Sequence, residues 1–123
     1  MNSVHDQLRD WTVAQEGIVY QACPSCASRW YFQRRFCPRC GATQPTSLQA
    51  SGRGTVYSVA TVHRAPSEEM RPYAPYTIVL IDMDEGFRIM GHGTPDLRIG
   101  EAVRAGYRSI AGKLMPYFDR DQK

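Results

Sequence analysis

Long apolar runs are what this sequence has least of. The longest, Ile78 to Ile81 inside Tyr76–Met83, falls far short of the ~20 residues a membrane-crossing helix needs. The stretch Met1 to Asp10 carries Asp6 and Asp10 and no apolar block, so no secretory signal is expected and the expected compartment is the cytoplasm. Catalytic signatures are missing too: there is no Gly-x-Ser-x-Gly elbow, no Walker-type loop, no dinucleotide glycine pattern and no His-x-x-x-His pair. An excess of one charge is likewise lacking. Fifteen Lys and Arg against 12 Asp and Glu leave +3, and the basic residues are scattered: five basic and three acidic residues precede Ser51, ten and nine follow it. Four thiolates around one divalent ion would lower the +3 to +1, a weak pull on polyphosphates.

What remains is ordinary globular material. The 123 residues are 42% hydrophobic and 22% charged, enough for one domain or two small modules that share a thin core. The sharpest signal is the placing of the four cysteines, all within 18 residues: Cys23-Pro-Ser-Cys26, ten residues, then Cys37-Pro-Arg-Cys40-Gly41. A reducing compartment disfavours disulfides. Two Cys-x-x-Cys turns instead offer four soft ligands to a tetrahedral ion about 2.3 Å from each sulfur. Pro24 and Pro38 fix the turn after each first cysteine, and Gly41 can adopt the positive φ that wraps the chain around the second sulfur. A thioredoxin-like redox pair would place one such motif at the start of a helix, which two proline-containing motifs fit poorly. Iron in a rubredoxin-like site would use the same ligands as zinc. With either metal, a closed four-thiolate site holds the fold, and no free thiol is left as a nucleophile. His5, His63 and His92 show no ligand spacing, and nothing sets a nucleophile beside His63 or His92.

Around this module, Ser3 to Gln15 reads as a helix, with Ser3 as cap, Val4, Leu8 and Trp11 on one face, and Gly17 as its stop. Ile18 to Ala22 reads as an extended lead into Cys23, and Trp30-Tyr31-Phe32 and Phe36 as the short strands of a zinc ribbon. Thr43 to Gly54 is the expected boundary, giving a module over residues 1–50 and a second over 51–123. Beyond it the apolar period changes to two. Thr55–His63, Tyr76–Met83, Phe87–His92, Val103–Arg108 and Lys113–Phe118 are expected strands, with a hairpin turn at Asp84-Glu85-Gly86 and one helical turn over Thr94–Gly100. Apolar residues on both faces of Tyr76–Met83 imply a strand covered on both sides. The expected fold is mainly β: an N-terminal helix, a rubredoxin-like zinc ribbon and a five-stranded OB-fold barrel.

Several stretches together resemble one family across nearly the whole chain: Trp11 with Gly17–Cys23, Cys37–Gly41, Ser51–Ser58, Val62-His63-Arg64, Pro75-Tyr76, Asp84–Gly86, Asp96–Gly100 and the closing Leu114–Phe118. These are the small zinc-ribbon/OB-fold accessory proteins of acyl-CoA metabolism, long known as a domain of unknown function. The sequence departs from the family at Ala27, where glycine is usual, and at Gly91-His92-Gly93, where an Asn-containing segment is common. The resemblance implies a non-catalytic partner of a thiolase-fold enzyme (a thiolase, acyltransferase or acyl-CoA aldolase), and in related systems of a hot-dog-fold hydratase. It also implies a share in the CoA or acyl channel. CoA asks for Arg donors and flat apolar rings, which makes Arg53, Arg64, Arg71, Tyr73 and Tyr76 the candidate CoA contacts and Cys23, Cys26, Cys37 and Cys40 the metal ligands. The alternative is a single-stranded nucleic-acid binder that stacks bases on Tyr57, Phe87 or Tyr107.

Overall fold

The computed structural model describes residues 9–121. Eight strands run in chain order: β1 Val19–Ala22, β2 Arg29–Trp30, β3 Thr46–Gln49, β4 Arg53–Val62, β5 Tyr76–Met83, β6 Arg88–Gly93, β7 Ala102–Ile110 and β8 Lys113–Arg120. The first three form an antiparallel sheet in the order β2-β1-β3, and the other five close into a barrel in the order β4-β5-β6-β8-β7. Pairing of β4 with β7 seals the barrel, and the β6–β8 contact is its one parallel seam. Meander, parallel seam and closing strand are those of a five-stranded OB barrel, as the period-two pattern implied. Among the described residues no helix is long and apolar enough to cross a membrane.

Alternation along β5 sorts side chains inward and outward: Thr77, Val79, Ile81 and Met83 are buried, while Ile78 and Leu80 on the outer face stay half-buried. With Val56, Ile89, Val103 and Phe118 they fill the barrel. β4 breaks its own alternation. A bulge between Val56 and Ser58 shifts the register, so the expected two-faced pattern of Thr55–His63 holds only up to Tyr57. Gly54 is required for packing: a Cβ there would lie 2.6 Å from the Asp82 carbonyl oxygen.

Four expectations need correction. The helix over Ser3–Gln15 begins outside the described residues, and within them the chain makes a single 3-10 turn, Trp11–Val13. Asp10 caps it, and Ala14 turns left-handed with φ 65°, which ends any helical run. The cause is a buried carboxylate. Asp10 Oδ1 accepts from the Thr12 amide at 3.0 Å and the Thr12 hydroxyl at 2.6 Å, and Oδ2 accepts from the Val19 amide at 3.2 Å and the Tyr31 hydroxyl at 2.9 Å. Thr94–Gly100 is two successive turns and no helix. Its end is pulled onto β4, where the Gly100 amide donates to the Val56 carbonyl and the Val56 amide donates in return to the Glu101 carbonyl. In the ribbon the second strand stops at Trp30, and Phe36 makes only an isolated bridge to Thr43. Gln21 orders the span between: its Oε1 accepts from Trp30 Nε1 and from the Arg34 amide, both at 2.7 Å.

Sheet and barrel share one core. Ile18 and Tyr20 belong to the same buried cluster as Val79 and Phe118, and Phe87 stacks on Tyr20 at 4.7 Å and beside Tyr31 at 6.1 Å. The β5–β6 turn completes the clasp: Glu85 accepts from the Ser51 amide at 2.7 Å, and its carbonyl accepts from Arg29.

Candidate functional site

Each Cys-x-x-Cys motif sits in a hairpin of the same construction. In the first, the Cys23 amide donates to the Ser28 carbonyl at 2.8 Å and the Ala27 amide to the Cys23 carbonyl at 3.0 Å; in the second, Cys37 donates to Ala42 at 2.8 Å and Gly41 to Cys37 at 3.0 Å. The first sulfur of each motif accepts two amides: Ser25 and Cys26 at 3.4 Å for Cys23, and Arg39 and Cys40 at 3.3 and 3.4 Å for Cys37. Such N–H···S bonds favour thiolates. Ala27, with φ 65°, takes the same left-handed conformation as Gly41 at φ 80°. The departure from the usual glycine therefore leaves the shape of the knuckle intact.

The four sulfurs lie within 4.8 Å of one another, with Cys23 to Cys40 at 3.5 Å and Cys26 to Cys37 at 3.6 Å. Edges of a tetrahedron with metal–sulfur bonds of 2.3 Å are about 3.8 Å long, so the donor set fits a tetrahedral ion with little movement. Cys23 and Cys37 are buried, Cys26 and Cys40 exposed, which puts the site at the surface with its two inner ligands anchored. Like charge alone would oppose four thiolates here. The Ser28 hydroxyl and amide pull the Cys26 thiol down to about 6. At Cys40 the Ala42 amide also pulls down, but the Cys23 sulfur, burial and the other sulfurs outweigh it and raise that thiol to about 12. A divalent cation removes this conflict.

At the far end of the barrel lies a cleft of about 370 Å³, lined by Tyr73 and Pro75 of the loop before β5, Tyr76 and Thr77 of β5, His92 and Gly93 of β6, Arg108 to Ile110 of β7, and Tyr117 of β8. The Tyr73 hydroxyl accepts from the Ala111 amide at 3.0 Å, which straps the 63–75 loop to the β7–β8 turn. These are the two loop positions that flank ligands in OB barrels. The Tyr76 and His92 rings lie 5.4 Å apart at 42°, and the Arg108 guanidinium lies over the Tyr117 ring at 3.8 Å. Burial lowers the pKa of His92, which leaves the ring neutral at neutral pH.

Of the five residues named as CoA contacts, Tyr73 and Tyr76 line this cleft and the three arginines do not. Arg53 is at the opposite end of β4, 3.7 Å from Asp121. Arg64 is exposed just past β4, and Arg71 is exposed in the 3-10 turn Arg71–Tyr73. Sequence reasoning missed Arg108 and Tyr117. Of the three rings named for base stacking, Tyr57 is exposed but covered by Arg88 at 3.5 Å, Tyr107 packs half-buried against the core, and Phe87 is buried in it. His63 is exposed.

A four-cysteine knuckle sheet clasped to an OB barrel is the class that this fold and these sites define. A profile for the C-terminal OB-fold domain of ChsH2 matches residues 48–108. A DUF35 domain-containing scaffold protein of Methanocaldococcus jannaschii is 33% identical over 110 residues, covering 84% of this chain and 77% of that protein. A probable enoyl-CoA hydratase alpha subunit of Thermomonospora curvata is 30% identical over 76 residues, 62% of this chain but 23% of that longer protein. Among solved structures, a chain of the Ltp2-ChsH2(DUF35) aldolase superposes with a TM-score of 0.71 at 26% identity, over 85% of this chain and 84% of that one. The chain belongs to the DUF35 family.

Proposed function

We propose that this chain is a non-catalytic accessory subunit that docks on a thiolase-fold acyl-CoA enzyme (a thiolase, acyltransferase or aldolase) and helps to line the channel for its CoA thioester. Likeness to a subunit of the Ltp2-ChsH2(DUF35) aldolase over 85% of the chain is the observation that carries this reading. The scaffold description of the M. jannaschii relative and the hydratase subunit of T. curvata support it. The ion is one structural zinc on Cys23, Cys26, Cys37 and Cys40: the four sulfurs lie close enough together to serve as its four ligands, which would leave no open position for chemistry. Tyr73 and Tyr76 face the cleft, while Arg53, Arg64 and Arg71 lie outside it and would reach CoA only across the subunit boundary.

Co-expression with the enzyme encoded beside it tests the reading. The expected result is co-purification, with the catalytic subunit losing solubility or turnover when this chain is omitted. A neighbouring thiolase-fold enzyme that is fully active alone and never co-purifies overturns it. Metal analysis should return one zinc per chain, and an iron chromophore would replace zinc in the assignment.

A further inference from the structure

The knuckle sheet carries a segment that neither the metal site nor the core explains. Phe32 is 77% and Phe36 53% exposed, and Arg34, Arg35 and Arg39 beside them are exposed as well. Among the described residues no carboxylate lies within ion-pair distance of these three arginines, and no Asp or Glu occurs from Gly17 to Ser67. Zinc on four thiolates carries two negative charges, and Arg29, Arg34, Arg35 and Arg39 outweigh it, four against two. The segment is also held in place. The buried Gln21 side chain grips both backbone groups of Arg34: Oε1 accepts from its amide at 2.7 Å and Nε2 donates to its carbonyl at 3.2 Å. That pin lies midway between the two phenylalanines in the chain, so little order remains to be imposed when the segment docks. An anionic surface with apolar pockets is what fits it. The number of arginines discriminates among such surfaces. Polybasic attachment to lipid headgroups uses clusters of about four to eight Lys or Arg, and a strongly salt-dependent nucleic-acid binder makes about six to ten phosphate contacts. Three unpaired arginines fall short of both. They match a protein interface, where a few arginines and aromatic rings carry most of the binding energy.

We propose that Phe32, Arg34, Arg35, Phe36 and Arg39 form the docking hot spot of this chain, with the rings in apolar pockets and the arginines on carboxylates of a partner protein. This rests on the subunit reading above and identifies its contact face: the partner is the catalytic subunit, and the surface it presents here carries Asp or Glu around apolar pockets. The exposed apolar side chains of the barrel, Met90 and Ile99, lie outside the hot spot.

The test co-expresses the full metal-loaded chain with the thiolase-fold enzyme encoded beside it, then measures the affinity and association rate of the purified pair. Phe32→Ser combined with Phe36→Ser should weaken the complex at least about 30-fold, the loss expected from one hot-spot contact. Arg34→Glu combined with Arg35→Glu should slow association at least about tenfold in low salt, and the difference should shrink in high salt. Ile99→Ser, which removes a side chain 71% exposed on the barrel, should change neither. Unaltered metal content and melting temperature establish that each variant folds. Wild-type affinity in both double variants, or a complex broken by Ile99→Ser alone, overturns the assignment. So does a wild-type chain that pellets with phosphatidylserine vesicles or retards an oligodeoxynucleotide and loses that property in the arginine variant, which gives the segment to lipid or nucleic acid. The two readings fail differently: co-purification that survives both double variants sinks the hot spot and leaves the subunit reading standing, whereas a wild-type chain that never co-purifies sinks the subunit reading and this one with it.

Discussion

The knuckle sheet and the barrel reach stability by different means. The barrel closes on itself, so no strand edge of β4 to β8 is left unpaired along the seam, and its interior holds Val79, Ile81, Val103 and Phe118 with no exposed surface. The knuckle sheet has strands of four, two and four residues, and two of the buried apolar side chains at its first strand, Ile18 and Tyr20, belong to the barrel's cluster. Three strands that short cannot bury enough surface to order themselves. Sulfur and a borrowed core do the work instead. The two most exposed aromatics, Phe32 at 77% and Phe36 at 53%, are on the knuckle side.

The largest effect should come from the buried half of the metal site. Cys37→Ser removes one of the four proposed ligands, whose sulfur also receives the Arg39 and Cys40 amides. Structural zinc in small modules is worth roughly 10–16 kcal/mol, so residues 18–50 should lose hydrogen-exchange protection while β5 to β8 keep theirs. Simultaneous loss of protection in both regions would show that the clasp at Phe87 and Glu85 makes them one cooperative unit. Next is the barrel's own centre. Phe118→Ala empties a fully buried site beside Gly91 and should cost about 3–5 kcal/mol by denaturant titration. Zinc affinity should fall with it, because the sheet leans on the barrel and not the reverse; unchanged affinity would break that asymmetry.

Legibility followed the same division. Cysteine spacing is a local code, and strand alternation runs unbroken through β5, whose register with β6 carries no bulge; those elements could be read from the sequence alone. What escaped depends on residues far apart. The helical spacing of Val4, Leu8 and Trp11 lost to Asp10, whose carboxylate is engaged by Val19 and Tyr31, nine and 21 residues on. The bulge at Tyr57 leaves no mark in a run of alternating residues. Arg108 meets Tyr117 because the β7–β8 register sets Arg108 opposite Met115 and Gly106 opposite Tyr117, a diagonal pairing on one face that no local pattern announces.

A smaller effect is electrostatic. Arg120 holds Asp96 at 2.9 Å and Glu101 at 2.7 Å, and its hydrogen bonds keep both carboxyls below their ordinary values of 3.8 and 4.5. Groups with lowered folded values contribute fully above the unfolded values, and the contribution is lost as pH falls through the folded ones. The melting temperature should therefore drop below about pH 4.5, and Arg120→Gln should flatten that part of the drop. An unchanged acid limb in Arg120→Gln would mean that the triad is a surface ornament. Because these groups are solvent-facing, the change is expected to be a few degrees at most.

The smallest effect separates the two knuckles themselves. They match in hydrogen bonding, yet one uses Ala27 and the other Gly41 at the left-handed position, φ 65° and 80°. An alanine there carries a backbone strain of about 1 kcal/mol that glycine does not, while glycine loosens the unfolded chain by about 0.4–1 kcal/mol. Ala27→Gly should thus raise stability by less than about 1 kcal/mol. Gly41→Ala should lower it by a similarly small net amount, less than about 1 kcal/mol, since a Cβ there meets nothing within 4 Å and the balance is purely conformational. Matched melting curves of the two swaps at saturating zinc measure both. If Gly41→Ala were neutral, the metal would be fixing the backbone more strongly than the residue does, and the left-handed turn would be a consequence of ligation instead of a preparation for it.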